Sequence, residues 1–240
     1  MSEPHFFIGW AGHTGPVLGR FLRRLTGAVL AAMLGLAPLL AANGGDPAPP
    51  GFGGAARDAL AEGPQRLEGV LTLLPYPVLH LPGGPSVLLA GDGKRGAPAE
   101  VSALAGQRVV AEGLLLRRGG IAMLVLDRSP VPLGPGTPPL PEALGRWRVT
   151  GEICDGKCAA GAMLPGTGLA HRACASLCVE GGLPAIMVAT RAVAGSEFLL
   201  LAGPDGDATD WFRHIGLRVA LEGEVRRLGT ILLFNAVPAP

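Results

Sequence analysis

Apolar and polar positions divide this chain into distinct stretches. From Leu25 to Ala42 the run LTGAVLAAMLGLAPLLAA carries no charge across 18 residues. A stretch without apolar periodicity follows, including PAPPGFGG. Beyond residue 64, short Val/Leu/Ile runs alternate with glycine-centred turns, the pattern of short strands joined by hairpins.

The first stretch predicts a transmembrane helix over residues 21–42, since roughly 20 apolar residues cross a bilayer core at 1.5 Å per residue. Arg20, Arg23 and Arg24 flank the run on one side, while Asn43, Gly44, Gly45 and Asp46 on the other carry no positive charge. The positive-inside rule then places residues 1–20 in the cytoplasm. Everything after Asn43 lies across the inner (plasma) membrane, in the periplasm. Phe6, Phe7, Trp10 and Phe21 suit the headgroup boundary. A cleaved signal peptide competes, with Ala41-Ala42 as a small-residue cleavage site, but the long leader and the length of the apolar run favour a retained anchor. Either reading exports the rest of the chain.

Residues 43–64 read as a proline-stiffened linker, and residues 129–146 as a second, with six prolines in SPVPLGPGTPPLP. Between and after these breaks the chain repeats itself. LAGQRVVAEGLLLRRGGIAMLVL from Leu104 matches HIGLRVALEGEVRRLGTILLF from His214. A constant offset of 110 aligns Gly106 with Gly216, Arg108 with Arg218, Glu112 with Glu222, Gly113 with Gly223 and Ile121 with Ile231. LLAGDG at Leu88 echoes LLAGPDG at Leu200. Upstream, Arg66–Gly69 resembles Arg148–Gly151 at an offset of 82, so the second copy has gained 28 residues, and all four cysteines fall in that gain. Two tandem small β domains follow, over 65–128 and 147–237, the second with a cysteine-rich helical hairpin inserted at 152–184. The strand pattern with its glycine hairpin resembles the OB-fold-like barrels of exported bacterial proteins. The expected fold is therefore mainly β, with two OB-like barrels behind an N-terminal transmembrane helix. A generic β-sandwich is the alternative.

The cysteines are spaced C-x3-C, fifteen residues, then C-x3-C. On a helix over His171 to Val179, Cys174 and Cys178 share a face, and Gly181-Gly182 and Pro184 end that helix. Cys154 and Cys158 form a similar pair before the Pro165-Gly166 turn. Three readings stay open. In an oxidising compartment, two disulfides would staple the insertion, with nested pairing of Cys154 to Cys178 and Cys158 to Cys174 suiting a hairpin. Thiolates with His171, helped by Met163, could instead hold zinc or copper. A thiol pair for disulfide exchange is the third, although C-x-x-C is missing.

The run G-E-I-x-D-x-K-C…M-x-P-G-x-G-x-x-H-R-x-C-A-x-x-C-x-x-G-G-x-P resembles a motif of exported, membrane-anchored bacterial proteins with OB-like domains. Here it comprises Gly151, Glu152, Ile153, Asp155, Lys157, Cys158, Met163, Pro165, Gly166, Gly168, His171, Arg172, Cys174, Ala175, Cys178, Gly181, Gly182 and Pro184. The resemblance carries no activity with it, but it implies roles for Asp155, Lys157, His171 and Arg172, against which stand helix capping and surface polarity. In that pattern the place of Cys154 is not usually a cysteine, which weakens an outer disulfide pairing.

Lys+Arg 20 against Asp+Glu 19, with 5% aromatic residues, gives neither the basic groove nor the stacking surface of a nucleic-acid binder. No Ser-His-Asp arrangement, HExxH or full Walker A is legible. Gly91-Asp92-Gly93-Lys94 imitates a phosphate loop but recurs as Gly203-Pro204-Asp205-Gly206 without the lysine, so it reads as a turn. His80 reads as a surface loop residue after the Pro75-Tyr76-Pro77 corner, and His214 as a packing or surface variant. Asp205, Asp207 and Asp210 read as a solvated loop rather than a calcium site. The chain is thus expected to be a non-catalytic, membrane-anchored periplasmic accessory or docking subunit of a membrane or redox complex. It would touch lipid through one helix and a protein partner beyond it, with no cofactor. The alternative is a metal-binding or thiol-redox protein using Cys154, Cys158, Cys174, Cys178 and His171.

Overall fold

A computed structural model describes residues 15–43, 55–207 and 211–239, and the chain divides into two compact units at Pro47 and Ala48. The aromatic residues Phe6, Phe7 and Trp10 and most of the 1–20 segment lie outside the described residues. In the first unit, helix α1 runs Pro16–Asn43. Pro16 suits the first helical position, because its missing N–H would have no intrahelical partner there. This start is five residues earlier than the sequence pattern predicts. Pro16–Pro38 is long and apolar enough to cross a membrane. Leu30, Met33 and Leu34 are exposed, an arrangement that lipid suits and water does not.

The second unit contains two closed five-stranded barrels of the same connectivity. After helix α2 (Ala55–Glu62), the first is built from β1 (Gln65–Leu73), β2 (Pro77–His80), β3 (Ser86–Ala90), a short helix α3 (Ala99–Ser102), β4 (Gln107–Arg118) and β5 (Ile121–Leu126). A further strand, β6 (Val131–Pro135), adds to β4. The second contains β7 (Glu142–Asp155), helices α4 (Gly156–Ala159) and α5 (Arg172–Glu180), β8 (Ala185–Val193), β9 (Ser196–Ala202), β10 (Arg218–Leu228) and β11 (Ile231–Pro238). In each copy the strands run in the order first, second, third, fifth, fourth and back to first. The third and fifth are parallel, as in an OB fold.

Closing so few strands demands sharp coiling, and glycines at matching positions permit it. A Cβ on Gly113 would lie 2.0 Å from Val125 O, and one on Gly223 would lie 1.8 Å from Asn235 O. These pairs are equivalent under the 110 offset, so the repeat preserves a backbone contact and not merely a residue type. Gly69 and Gly151 play the same part in the first strands, against His80 O and Val188 O.

Each barrel fills its own interior, with Leu71, Leu79 and Leu124 in the first and Met187, Trp211 and Phe234 in the second. A further core lies between them: Leu88, Met123, Ile186, Leu200 and Leu233 pack with Cys154, Cys158 and Cys178. This explains why every residue of β3 is buried, since one face points into its barrel and the other meets its neighbour.

Several expectations need correction. Residues 55–62 of the supposed first linker are helix α2, held by buried Ala59 and by Glu62 pairing with Arg117 at 3.0 Å; residues 44–54 lie outside the described set. The proline-rich 129–146 segment contributes β6 and the start of β7, its prolines tolerated because β6 is an edge strand. His80 is a buried strand residue, because the Pro75-Tyr76-Pro77 corner turns β2 back into the sheet. The insertion is no symmetric helical hairpin: Cys154 belongs to β7, and only Cys158 sits on a helix in the first half.

Candidate thiolate metal site

Strand β7 leaves the second barrel at Asp155, and the next residues turn into α4. Asp155 is the N-cap of α4, accepting a hydrogen bond from Cys158 N at 2.9 Å. Its other oxygen lies 3.2 Å from Nε2 of His171, the residue that opens α5. Both side chains are buried, at 0% and 3% exposure, so this pair ties the two halves of the insertion together out of water. Glu152 accepts from Gly168 N and anchors the intervening loop.

The first barrel roofs this insertion. The buried Lys157 ammonium donates to Gly91 O at 2.9 Å and Gly93 O at 2.7 Å, fixing the loop after β3. Burial holds the Lys157 pKa below its ordinary value. Gly96 N donates to Gly181 O at 2.8 Å, and Gly181 and Gly182 allow the loop to touch the end of α5 backbone to backbone. A Cβ on Gly181 would lie 1.9 Å from Lys94 O. Lys94, thus placed, reaches over the cysteines: its Nζ lies 2.7 Å from Cys174 Sγ and 3.6 Å from Cys178 Sγ.

Beneath it the sulfurs of Cys174 and Cys178 each come near that of Cys158. Ligand atoms of Cys158, His171 and Cys174 lie within 4.8 Å of one another, as do those of Asp155, Cys158 and Cys178. Cys158 is common to both groups. Met163 adds a thioether, its Sδ 3.4 Å from Cys174 Sγ. The Cys158 thiol hydrogen-bonds to Cys178, which holds its own pKa up, together with burial. The same bond, aided by Lys94, lowers Cys178 to about 7. Hydrogen bonding to Cys174 in turn raises Lys94. All four cysteines are free thiols in this structure.

Cys154 stands apart. It faces Ile186 across the β7–β8 ladder, wholly enclosed in the core between the barrels, where burial raises its thiol pKa well above the ordinary value. Cys154 sits in the strand before the chain turns toward the other sulfurs, and it belongs to neither group of candidate ligands. Asp155 and Lys157 belong to the site as positioning groups, not as surface polarity. Arg172 is exposed, with its stem against Gly216, and does not join them. His214 lies in a short turn before β10 and is not part of this cluster. The Asp205–Asp207 loop closes on itself through Gly203 N to Asp207 O at 2.8 Å, while Asp210 lies outside the described residues.

Lys94 escaped the sequence reading. Its one signal was that the GDGK turn of the first copy carries a lysine that the equivalent turn of the second lacks. No protein-family model matches the chain, and no curated protein or solved structure is significantly similar to it.

Proposed function

We propose that this is a membrane-anchored, non-catalytic accessory protein whose barrels hold a thiophilic metal ion at their junction. Cys158, His171 and Cys174 are the ligands, with Cys178 beside Cys158. The observation that carries the reading is the convergence of the Cys158 and Cys174 sulfurs with the His171 imidazole, set by Asp155 and roofed by a lysine from the other barrel. A carboxylate bonded to one ring nitrogen orients an imidazole for ligation by the other, a common outer-shell arrangement at metal sites. An incoming ion would displace the proton that Cys158 shares with Cys178, as coordinating thiols are deprotonated outright. Arg20, Arg23 and Arg24, near the N-terminal end of α1, support a cytoplasmic N-terminus, an exported site and a partner on the far side of the membrane.

The test is metal analysis of the full chain purified in detergent under reducing conditions. The expected result is one zinc or copper ion per chain, lost in Cys158→Ser and Cys174→Ser but kept in Cys154→Ser. A metal-free chain that takes up neither ion would refute it. A second reading, thiol–disulfide exchange, is supported by the hydrogen-bonded Cys158–Cys178 pair with one thiol lowered to about 7. A metal-free protein that reversibly forms a Cys158–Cys178 disulfide would favour that reading instead.

A further inference from the structure

We infer that the site selects monovalent copper, with Met163 as a thioether ligand at its exposed rim; this rests on the metal-binding reading above. The donors fall into two sets of three sharing Cys158, and no set of four closes within the same 4.8 Å radius among the described residues. In the second set the Asp155 oxygens are already engaged by Cys158 N and His171 Nε2. What remains is the first set, two thiols and an imidazole, three donors rather than the four of a tetrahedral site. A structural zinc site wants four donors, its sulfurs about 3.8 Å apart at a Zn–S length of about 2.3 Å. Monovalent copper, with a filled d shell and soft character, is satisfied by two or three sulfur donors, and thioethers rank among its ligands.

Met163 is the discriminating residue. Its side chain is 47% exposed, yet its sulfur rests 3.4 Å from Cys174 Sγ, on the open side of the cluster. Hydrophobic packing does not account for an apolar side chain left half in solvent against a thiol. Zinc gains little from a neutral thioether, whereas copper(I) gains a donor where the ion enters. Lys94 adds to the preference. Its ammonium, 2.7 Å from Cys174 Sγ, repels an incoming cation in proportion to that cation's charge, so it weighs twice as heavily on a divalent ion. Its exposed, flexible stem can draw aside as the ion arrives.

The experiment compares wild-type full chain with Met163→Leu in detergent, reduced and anaerobic. Copper(I) is titrated against a chromophoric copper(I) chelator, and zinc(II) separately against a zinc chelator. The expected result is a copper(I) affinity about tenfold lower in Met163→Leu, with zinc(II) affinity within about twofold of wild type. Copper(I) affinity within twofold in the variant would overturn the inference while leaving the metal-binding reading intact. Equal weakening of both metals would overturn it too, by showing that Met163 acts on the shape of the site. If wild type holds neither ion, the metal-binding reading falls and this inference with it.

Discussion

Acid should loosen the junction of the barrels through one residue, His80. Its Nε2 lies 2.8 Å from Thr72 Oγ1 and its Nδ1 lies 2.8 Å from Ser86 Oγ. Ser86 reaches across to the second barrel, where its N donates to Thr230 Oγ1 at 2.8 Å and its hydroxyl accepts from Thr230 N at 3.1 Å. Desolvation lowers His80 from 6.5 to about 4, so the folded protein keeps the ring neutral where the unfolded chain protonates it. Between these values the unfolded state binds more protons. Stability is therefore fully present above pH 6.5 and drains away as pH falls towards 4. A shift of that size corresponds to about 3 kcal/mol as an upper limit, at about 1.4 kcal/mol per pKa unit. The assay is denaturant unfolding of the full chain in detergent at pH 4.5, 5.5, 6.5 and 7.5, for wild type and His80→Gln. Other titrating groups contribute equally to both proteins and cancel in the difference. Wild type should lose about 2–3 kcal/mol more than the variant between pH 7.5 and 4.5. Parallel curves would refute the reasoning.

Gly181→Ala should cost about 1–3 kcal/mol, because its new Cβ would meet Lys94 O at 1.9 Å and push the first barrel's loop off α5. Thermal denaturation reads the loss, and an unchanged melting temperature would show that the contact yields freely. Asp155→Asn removes the charge that caps α4 and orients His171; metal affinity should fall about 10- to 100-fold in a chelator competition. Cys154→Ala should lower stability by about 1–2 kcal/mol through the cavity it leaves, without changing the number of ions bound. A change in metal stoichiometry would return Cys154 to the ligand set.

The barrels were legible in the sequence because their coiling leaves a mark that survives divergence. Gly113 and Gly223 must be glycine wherever the facing strand's carbonyl approaches within about 2 Å of the missing Cβ, so the 110 offset tracks backbone geometry. Helix α5 was legible for the same sort of reason, as two cysteines four apart with glycines just beyond fix a face and an end. The connection between copies was not, because β6 is an edge strand that accepts prolines a central strand would refuse. Nor was the separation of Cys154 from its neighbours. Local spacing shows C-x3-C, and only the β7–β8 ladder shows that Asp155 ends a strand and begins a helix. Lys94 was the hardest case. Its partner lies 80 positions away, and a turn composition of Gly and Asp describes its backbone without saying where its side chain goes.

The way the insertion is held bears on what its site can do. Helices α4 and α5 have four and nine residues, and isolated helices shorter than about 12–15 residues are marginal in water. They owe their order to contacts among the protein's own groups: the Asp155 cap, the Asp155–His171 bond, Lys157 gripping the first barrel's loop, and Cys158 and Cys178 packed in the shared core. In a zinc finger the reverse holds, for binding and folding are one event and removing the metal unfolds the domain. Here the protein's own contacts hold the insertion, so an ion bound as proposed would not be what folds it, and a chelator should leave the barrels folded. The second copy supplies the cysteines and His171, and the first supplies Lys94 above Cys174.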